Sequence, residues 1–428
     1  MPALTAAATL SLQLEQVSKD IPEILEADNS LDKLIQDNGR AEMVSTRAYR
    51  IPVQTSLPGS YARVNLDSNT VPFPAGGAST YTNGTVQPET NCVPIEWTKL
   101  SQLVDKGPVA ITNAVDKELG NAMRTLRKKR DIMLCVGDST GTVATVLSVA
   151  GSVVTLDPAS FGAHCLDLNQ YIMVFNGSAL RPSGNAYGSS AQITAIANKL
   201  GGTQTITLDT VPAGTVAGDL IKIDGVTNGA PVSLNGILTF LNNAGTGTTL
   251  GTDRSINQWV VANGYSAGNA SPTLPLLRLP IDQIKQSLGE DAVTVGSLVI
   301  HTTMGQVANY EQLGEQLLTI PLSGGTADSL DLLFRGKKSV DGHPLITNVH
   351  AHAARMDYMF IKAWGKVQYG KPPFWYDMDG MKVFPVYGTN GSPTAAARSF
   401  LIDTTNYYVD NFWGQSSLYQ LKPPTGYV

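Results

Sequence analysis

The sequence is short of charge. Charged residues make up 15% of its 428 positions, against about 25% in ordinary globular chains. A surface so poor in mutual repulsion ill suits a solitary monomer and suits a chain covered largely by copies of itself. Cysteine is scarce as well. Cys92, Cys135 and Cys165 are odd in number, far apart and without a C-x-x-C pair, which excludes a disulfide framework and points to a reducing, cytosolic origin. No stretch approaches 18 consecutive apolar residues, so no membrane-spanning helix is expected. The start, MPALTAAATLSLQLEQ, has no basic segment leading into an apolar one and does not read as a secretory signal. The N-G-[ST] triplets at Asn83, Asn176 and Asn390 are then read as turns. A net charge of −5 argues against wholesale coating of nucleic acid by the protein.

Catalytic patterns are missing too. Gly264-Tyr-Ser266-Ala-Gly268 matches G-x-S-x-G, but Pro272 and Pro275 follow closely and argue against the helix that a nucleophile elbow needs. His350-Ala-His352 places two imidazoles on one face of a strand, with His343 nearby, yet no carboxylate pattern completes a zinc set. Asp377-Met-Asp379-Gly380 opens like a calcium loop but lacks its bidentate glutamate, and reads as a turn. No phosphate-binding or dinucleotide-binding glycine motif is present. No catalytic, cofactor or metal residue is assigned, and a non-enzymatic chain is expected.

What is there is an order of parts. Residues 1–42 read as two short helices, one through Leu14, Val17, Ile21 and Ile24, the other over Leu31–Gln36 behind the caps Asp28-Asn29-Ser30. Both are too short to stand alone in water. From Met43 to Leu100 the chain reads as a long hairpin, with alternation at Tyr61–Leu66 and Cys92–Trp97 and turn chemistry at Pro72–Gly77. A helix follows over about Thr112–Cys135, with Ile111, Val115, Leu119, Met123 and Leu126 as its apolar stripe. Between Gly120 and Arg130 it carries Arg124, Arg127, Lys128, Lys129 and Arg130 and no acid. That run is either a face paired with a neighbour's carboxylates or a lining that meets phosphate; no interleaved aromatics favour sequence-specific readout.

A Gly/Thr-rich segment, about Gly141–Thr227, contains an internal echo. Val153–Asp157 then Leu168–Val174 is matched by Thr205–Asp209 then Ala217–Ile223. Short strands at this spacing suggest a small antiparallel barrel or sandwich. Beyond it, Leu234–Leu241 and Pro280–Leu288 read as helices, the second with proline in its first turn. Ser297–Thr302 reads as a buried strand before a helix at Met304–Gln312, and Met381–Val386 and Arg398–Asp403 as late strands. The body is α+β, with the early helix packed on a late sheet.

This layout resembles the major capsid protein of tailed bacteriophages, a fold shared with encapsulins and the herpesvirus capsid floor. The residues that carry the resemblance are the hairpin-then-basic-helix junction, Val340–Ile346 leading into Asp357–Ile361, and Phe400–Asp403 closing a sheet. The resemblance implies an N-terminal arm (1–42), an extended loop (43–100), a spine helix with the start of a peripheral domain (101–140), an inserted β domain (141–227), an axial domain (228–335) and the rest of the peripheral domain (336–428). It also implies hexamers and pentamers in an icosahedral shell around double-stranded DNA, assembled in the bacterial cytoplasm, with a separate scaffolding protein, a portal and a decoration protein as partners. The residues expected at subunit interfaces or facing DNA are Arg47, Arg50, Arg63, Trp97, Arg124, Arg127, Lys128, Lys129 and Arg130, since arginine and tryptophan are common anchors. The alternatives are an encapsulin-type cargo compartment, a β-rich carbohydrate-binding surface protein and a hydrolase using Ser266.

Some relatives weld their shells through a lysine on the extended loop. No lysine occurs here between Lys33 and Lys99. Assembled material should therefore run as a single monomer band on a boiled, reduced gel; a ladder of covalent multimers would contradict this.

Overall fold

The computed structural model describes residues 30–36, 41–45, 48–56, 59, 63, 76–98, 114–138, 140–157, 161–182, 190–199, 203–223, 226–227, 230–231, 234–317, 339–370, 372–387 and 391–423. The helix expected through Leu14–Ile24 lies outside them, as does the Tyr61–Leu66 strand apart from Arg63. The second short helix is present at Ser30–Leu34. The chain forms two compact units, one of Met1–Asp32, Pro88–Leu234 and Gln368–Asn406, the other of Lys33–Gln87, Asn235–Val367 and Tyr407–Val428.

In the first unit the basic helix runs Ala114–Val136. It buries Ala122 and Leu126, with Met123 alongside, against Val93, Ile95, Trp97 and Leu401. A leucine taken out of water in this way contributes about 1.5–3 kcal/mol. The Asn91–Thr98 strand alternates buried and exposed positions because only Val93, Ile95 and Trp97 face the helix. Its partner is Pro393–Asp403, antiparallel from Asn91↔Asp403 to Thr98↔Ala396. The strand expected to pair with Cys92–Trp97 in a hairpin, Tyr61–Leu66, lies outside the described residues apart from Arg63, and the pairing described is the one with Pro393–Asp403. Asn91–Thr98 has an apolar face to bury, and the face is met by the helix. On the other side of Pro393–Asp403 lie Phe374–Trp375 and Phe384–Tyr387. Among the described residues Asn91–Thr98 is an edge strand, a place where the missing N–H of Pro94 costs little.

The helix leads into a ring of strands. The order around it is Leu220–Ile223, Thr142–Ala150, Val153–Leu156, Thr205–Leu208, Ala191–Ala197 and Tyr171–Asn176, and the last pairs again with Leu220–Ile223. Every pairing is antiparallel. The echo in the sequence is a structural repeat with approximate two-fold symmetry. Leu156 N donates to Gln204 O at 2.9 Å, and its counterpart Leu208 N donates to Ser152 O at 2.9 Å. Val146 N to Asp219 O (2.8 Å) is matched by Ile193 N to Gln170 O (3.0 Å). At equivalent bends Asn169 and Gly218 both take positive φ, 61° and 89°, a conformation that asparagine and glycine adopt most readily. Inside, Val154, Ile206, Val174 and Ile221 are buried.

The second unit holds the base of the extended segment. Ala48–Ser56 pairs with Glu42–Ser45 on one side and Thr80–Val86 on the other. Ile51, Val53 and Val86 are buried, and Thr85 N donates to Leu250 O at 2.9 Å. A Cβ on Gly84 would sit 3.3 Å from Leu250 Cβ, so the close approach favours glycine. The main sheet of this unit runs Asn263–Ser266, Gln415–Tyr419, Met356–Phe360, Leu298–Thr302, His343–Thr347 and Ser339–Val340. Leu298–Thr302 is buried throughout, and Leu298, Ile300, Tyr358 and Leu418 share a core with Leu277, Ile281 and Ile284.

Two helices differ from expectation. Leu234–Leu241 shortens to Ile237–Phe240. The helix expected to start at Pro280 starts at Leu274, because the Thr273 side chain caps Leu276 N and Pro275 occupies the first turn. Pro280 is thus interior and gives up one helical hydrogen bond.

His343 is buried and accepts a hydrogen bond from Leu298 N at its Nδ1 (3.4 Å), which requires that nitrogen to be unprotonated. Burial pushes the imidazole below its usual value of 6.5; Lys285 adds to this and Asp341 opposes it. The unfolded chain then binds this proton more tightly than the folded one, so stability is full above the ordinary histidine value and falls as pH drops below it. Urea unfolding between about pH 7.5 and 5.5 should show that decline, and His343→Gln should flatten it; equal slopes for both proteins would refute the assignment.

Candidate assembly surface and its basic helix

Helical spacing sorts the basic run into different surroundings. Lys128 and Lys129 reach the barrel, with Nζ atoms 3.1 Å and 2.7 Å from the carboxylate of Asp167. Lys199, from the barrel itself, adds a third ammonium at 3.3 Å. Lys129 also donates to Gln170 Oε1 at 2.8 Å and Cys165 O at 3.4 Å. Arg130 turns the other way, to Asp32 at 2.5 Å and Asp403 at 3.2 Å. Asp403 is fixed in turn by Thr405 Oγ1 at 2.6 Å. Lys128, Lys129 and Arg130 thus bind elements of their own subunit together. Arg124 and Arg127 lie on the exposed face, in line with Gly120 at four- and three-residue steps.

The electrostatics follow from this geometry. Burial alone would raise the Asp167 carboxyl, but Lys129 and then Lys128 hold it well below the usual carboxylate range. Burial pushes Lys129 below the usual lysine range, only partly offset by Asp167. Cys165 is fully buried and its thiol is pushed up to about 12, so it is inert at neutral pH. On the opposite edge of the barrel Asp219 occupies the place equivalent to Gln170. There Arg181 from the barrel, at 3.0 Å, takes the role that the helix lysine plays on the first edge.

Among the other expected interface residues, Arg50 is exposed on Ala48–Ser56, opposite Glu42 and Thr85. Arg63 is exposed and outside any strand or helix, and Arg47 lies outside the described residues. Trp97 is 6% exposed and packs in the helix–sheet core. A surface that the sequence reading passed over is the Phe374–Tyr387 segment, where Phe374, Tyr376, Met378, Met381, Val383 and Tyr387 are all exposed. Tyr376, Phe384 and Phe400 form an aromatic cluster beside it, with centroids 5.7–6.5 Å apart. Apolar residues at alternate positions in a turn-rich stretch were the available signal.

The residues of the motif-like segments make local hydrogen bonds. Ser266 Oγ donates to Gln420 Oε1 and accepts from Gly268 N, an arrangement that holds a turn. Asp377 Oδ1 accepts from Gly380 N at 2.7 Å, closing the expected tight turn. His350 and His343 are buried in the second unit, and among the described residues no three metal-ligating groups converge. Among the same residues no helix is long and apolar enough to cross a membrane.

The fold that these parts build, an extended segment with β pairing, a long basic helix seated on a late sheet and a mixed α/β remainder, is that of a solved phage capsid subunit. The capsid asymmetric unit of cyanophage A-1(L) superposes with a TM-score of 0.56 at 10% identity, covering 97% of this chain and 99% of that one. A structure from Mycobacterium phage Adephagia gives 0.48 at 12% identity over 96% of both chains. The encapsulin of the holo-SrpI complex from Synechococcus elongatus PCC 7942 gives 0.45 at 9% identity over 98% of this chain and 96% of that one. No protein-family model and no curated protein matches the sequence.

Removing one partner from the two charge clusters should have unequal effects. Arg130→Ala strands two buried carboxylates and should cost about 3–5 kcal/mol. Asp167→Asn, in a half-buried site, should cost about 1–2 kcal/mol. Lys199→Ala should be nearly neutral. Urea denaturation of the three variants checks the order; equal losses would refute it.

Proposed function

We propose that this chain is the major head protein of a tailed bacteriophage, a structural and not a catalytic protein. It assembles as hexamers and pentamers into an icosahedral shell that encloses double-stranded DNA. The observation that carries this reading is the fold likeness to a cyanophage capsid subunit, which extends over nearly the full length of both chains. The low charge density supports it, because most of the surface is then destined for contact with other copies. Weak individual contacts suffice, since a closed lattice multiplies them.

In this reading the segment from Met43 to Val86 reaches neighbours, while the basic helix stiffens the subunit. Arg124 and Arg127 supply the exposed positive charge that meets a neighbour or phosphate. Lys128, Lys129 and Arg130 contribute by fixing the barrel and the sheet to the helix. The 141–227 barrel is an added surface domain of the head. A separate scaffolding protein guides assembly in the host bacterial cytoplasm, a portal occupies one vertex, and a decoration protein is a candidate partner of the barrel. The shell is held without covalent cross-links from the extended segment.

Electron microscopy of cells expressing this chain, with and without its neighbouring genes, tests the reading. Closed icosahedral shells or capsomer-like rings are the expected result, and uniform shells should need the scaffold. A monodisperse monomer under both conditions would overturn the head-protein reading.

A further inference from the structure

We propose that the outer face of the sheet beneath the basic helix, together with its Asp377–Lys382 turn, packs on the same face of a second copy across a two-fold axis. The inference rests on the self-assembling function proposed above and names one contact of that assembly.

Strand register defines the face. Val93, Ile95, Trp97, Leu401 and Trp375 turn towards the helix. Their neighbours along each strand turn away, because successive side chains alternate between the two sides of a sheet. On that outer side Phe400 stands opposite Pro94, Arg398 opposite both Glu96 and Phe384, and Ile402 opposite both Cys92 and Phe374. Tyr376, whose backbone N–H donates to Phe400 O at 2.9 Å, joins Phe384 and Phe400 in the aromatic cluster. The sheet thus has two apolar faces to cover, and the helix covers one.

Three observations point to the same face of a second copy as the occupant. The first is where apolar surface lies. Of the sixteen large apolar side chains exposed among the described residues, six fall between Phe374 and Tyr387, while the other ten are spread over the barrel and the second unit. This segment is the largest such gathering, so the best apolar surface that another copy offers to it is the segment itself. Two of the six, Met378 and Met381, bracket the turn, and their flexible side chains adapt well to a partner.

The second observation is area. The six side chains are 38% to 61% exposed. By the usual size of such groups that is roughly 600 Å² of apolar area per copy, and two faces together supply about 1,200 Å², where stable specific interfaces begin.

The third is charge. Arg398 is neutralised in place by Glu96 at 2.6 Å. The turn carries both signs, Asp377 and Asp379 against Lys382, all three exposed. Two turns related by a two-fold axis set Lys382 of each copy against Asp379 of the other. The face is then its own complement in charge as well as in apolar surface, which is the condition for an isologous contact.

The test uses the full chain with Cys92→Ser, since the exposed Cys92 lies on this face. With Met378→Cys added, mild oxidation of that single preparation should give a disulfide-linked dimer, because a two-fold contact brings both copies of position 378 together. Lys382→Glu and Asp379→Lys should each keep the parental unfolding midpoint and lower the sedimenting, assembled fraction about tenfold. Mixing these two variant chains should restore most of it, since each reversed charge then meets its opposite across the axis.

Shells that yield no linked dimer, or a mixture that assembles no better than either variant alone, would overturn the two-fold contact. Restoration in a chain carrying both substitutions but not in the mixture would also overturn it, by placing the charge pair within one turn. A linked dimer from a chain that forms no shells would uphold the contact and overturn the shell reading. Absence of both dimer and shells would overturn both.

Discussion

Ala122 and Leu126 leave water only because the Asn91–Thr98 strand has paired with Pro393–Asp403, nearly three hundred residues away in sequence, to form the floor beneath them. This seating of one helix on one distant-paired sheet is the constraint on which the first unit depends. Once the helix lies there, its remaining faces have fixed directions. Lys128 and Lys129 point to the barrel, Arg130 points to Asp403 on the sheet and to Asp32, and Arg124 and Arg127 point to solvent. The cations that look like one basic patch in the sequence thereby take on separate duties.

The barrel shows how a repeat can be kept in backbone and changed in chemistry. Equivalent hydrogen bonds recur around its approximate two-fold, down to the paired left-handed residues Asn169 and Gly218. At one edge a glutamine and an aspartate receive lysines from the helix; at the other, Asp219 receives Arg181 from within the barrel. The second edge is therefore self-sufficient, while the first is completed by the helix. One charge cluster, around Asp167, thus joins the module to the helix.

Much of this was legible locally. The basic helix, the buried strand at Leu298–Thr302, the strand echo and the turn at Asp377–Gly380 all announce themselves through spacing or turn chemistry within a dozen residues. The failures share one cause. Cys92–Trp97 alternates as a strand whichever partner it takes, so its spacing gave no sign of the distant partner Pro393–Asp403. Pro275 argued against a helix, yet behind the Thr273 cap it begins one. Trp97 looked like an interface anchor but is a core residue, because burial depends on what is placed above it.

By itself, then, the sequence determined the class of the protein: low charge, an α+β order of parts, an early basic helix over a late sheet, and a repeated strand pattern. Those properties rest on periodicity and composition, which act over short stretches. The tertiary structure alone decided which strand lies beside which, which carboxylate each cation meets, and which apolar residues stay in water at Phe374–Tyr387. Such choices belong to groups brought together across hundreds of residues, and no local rule carries information over that distance.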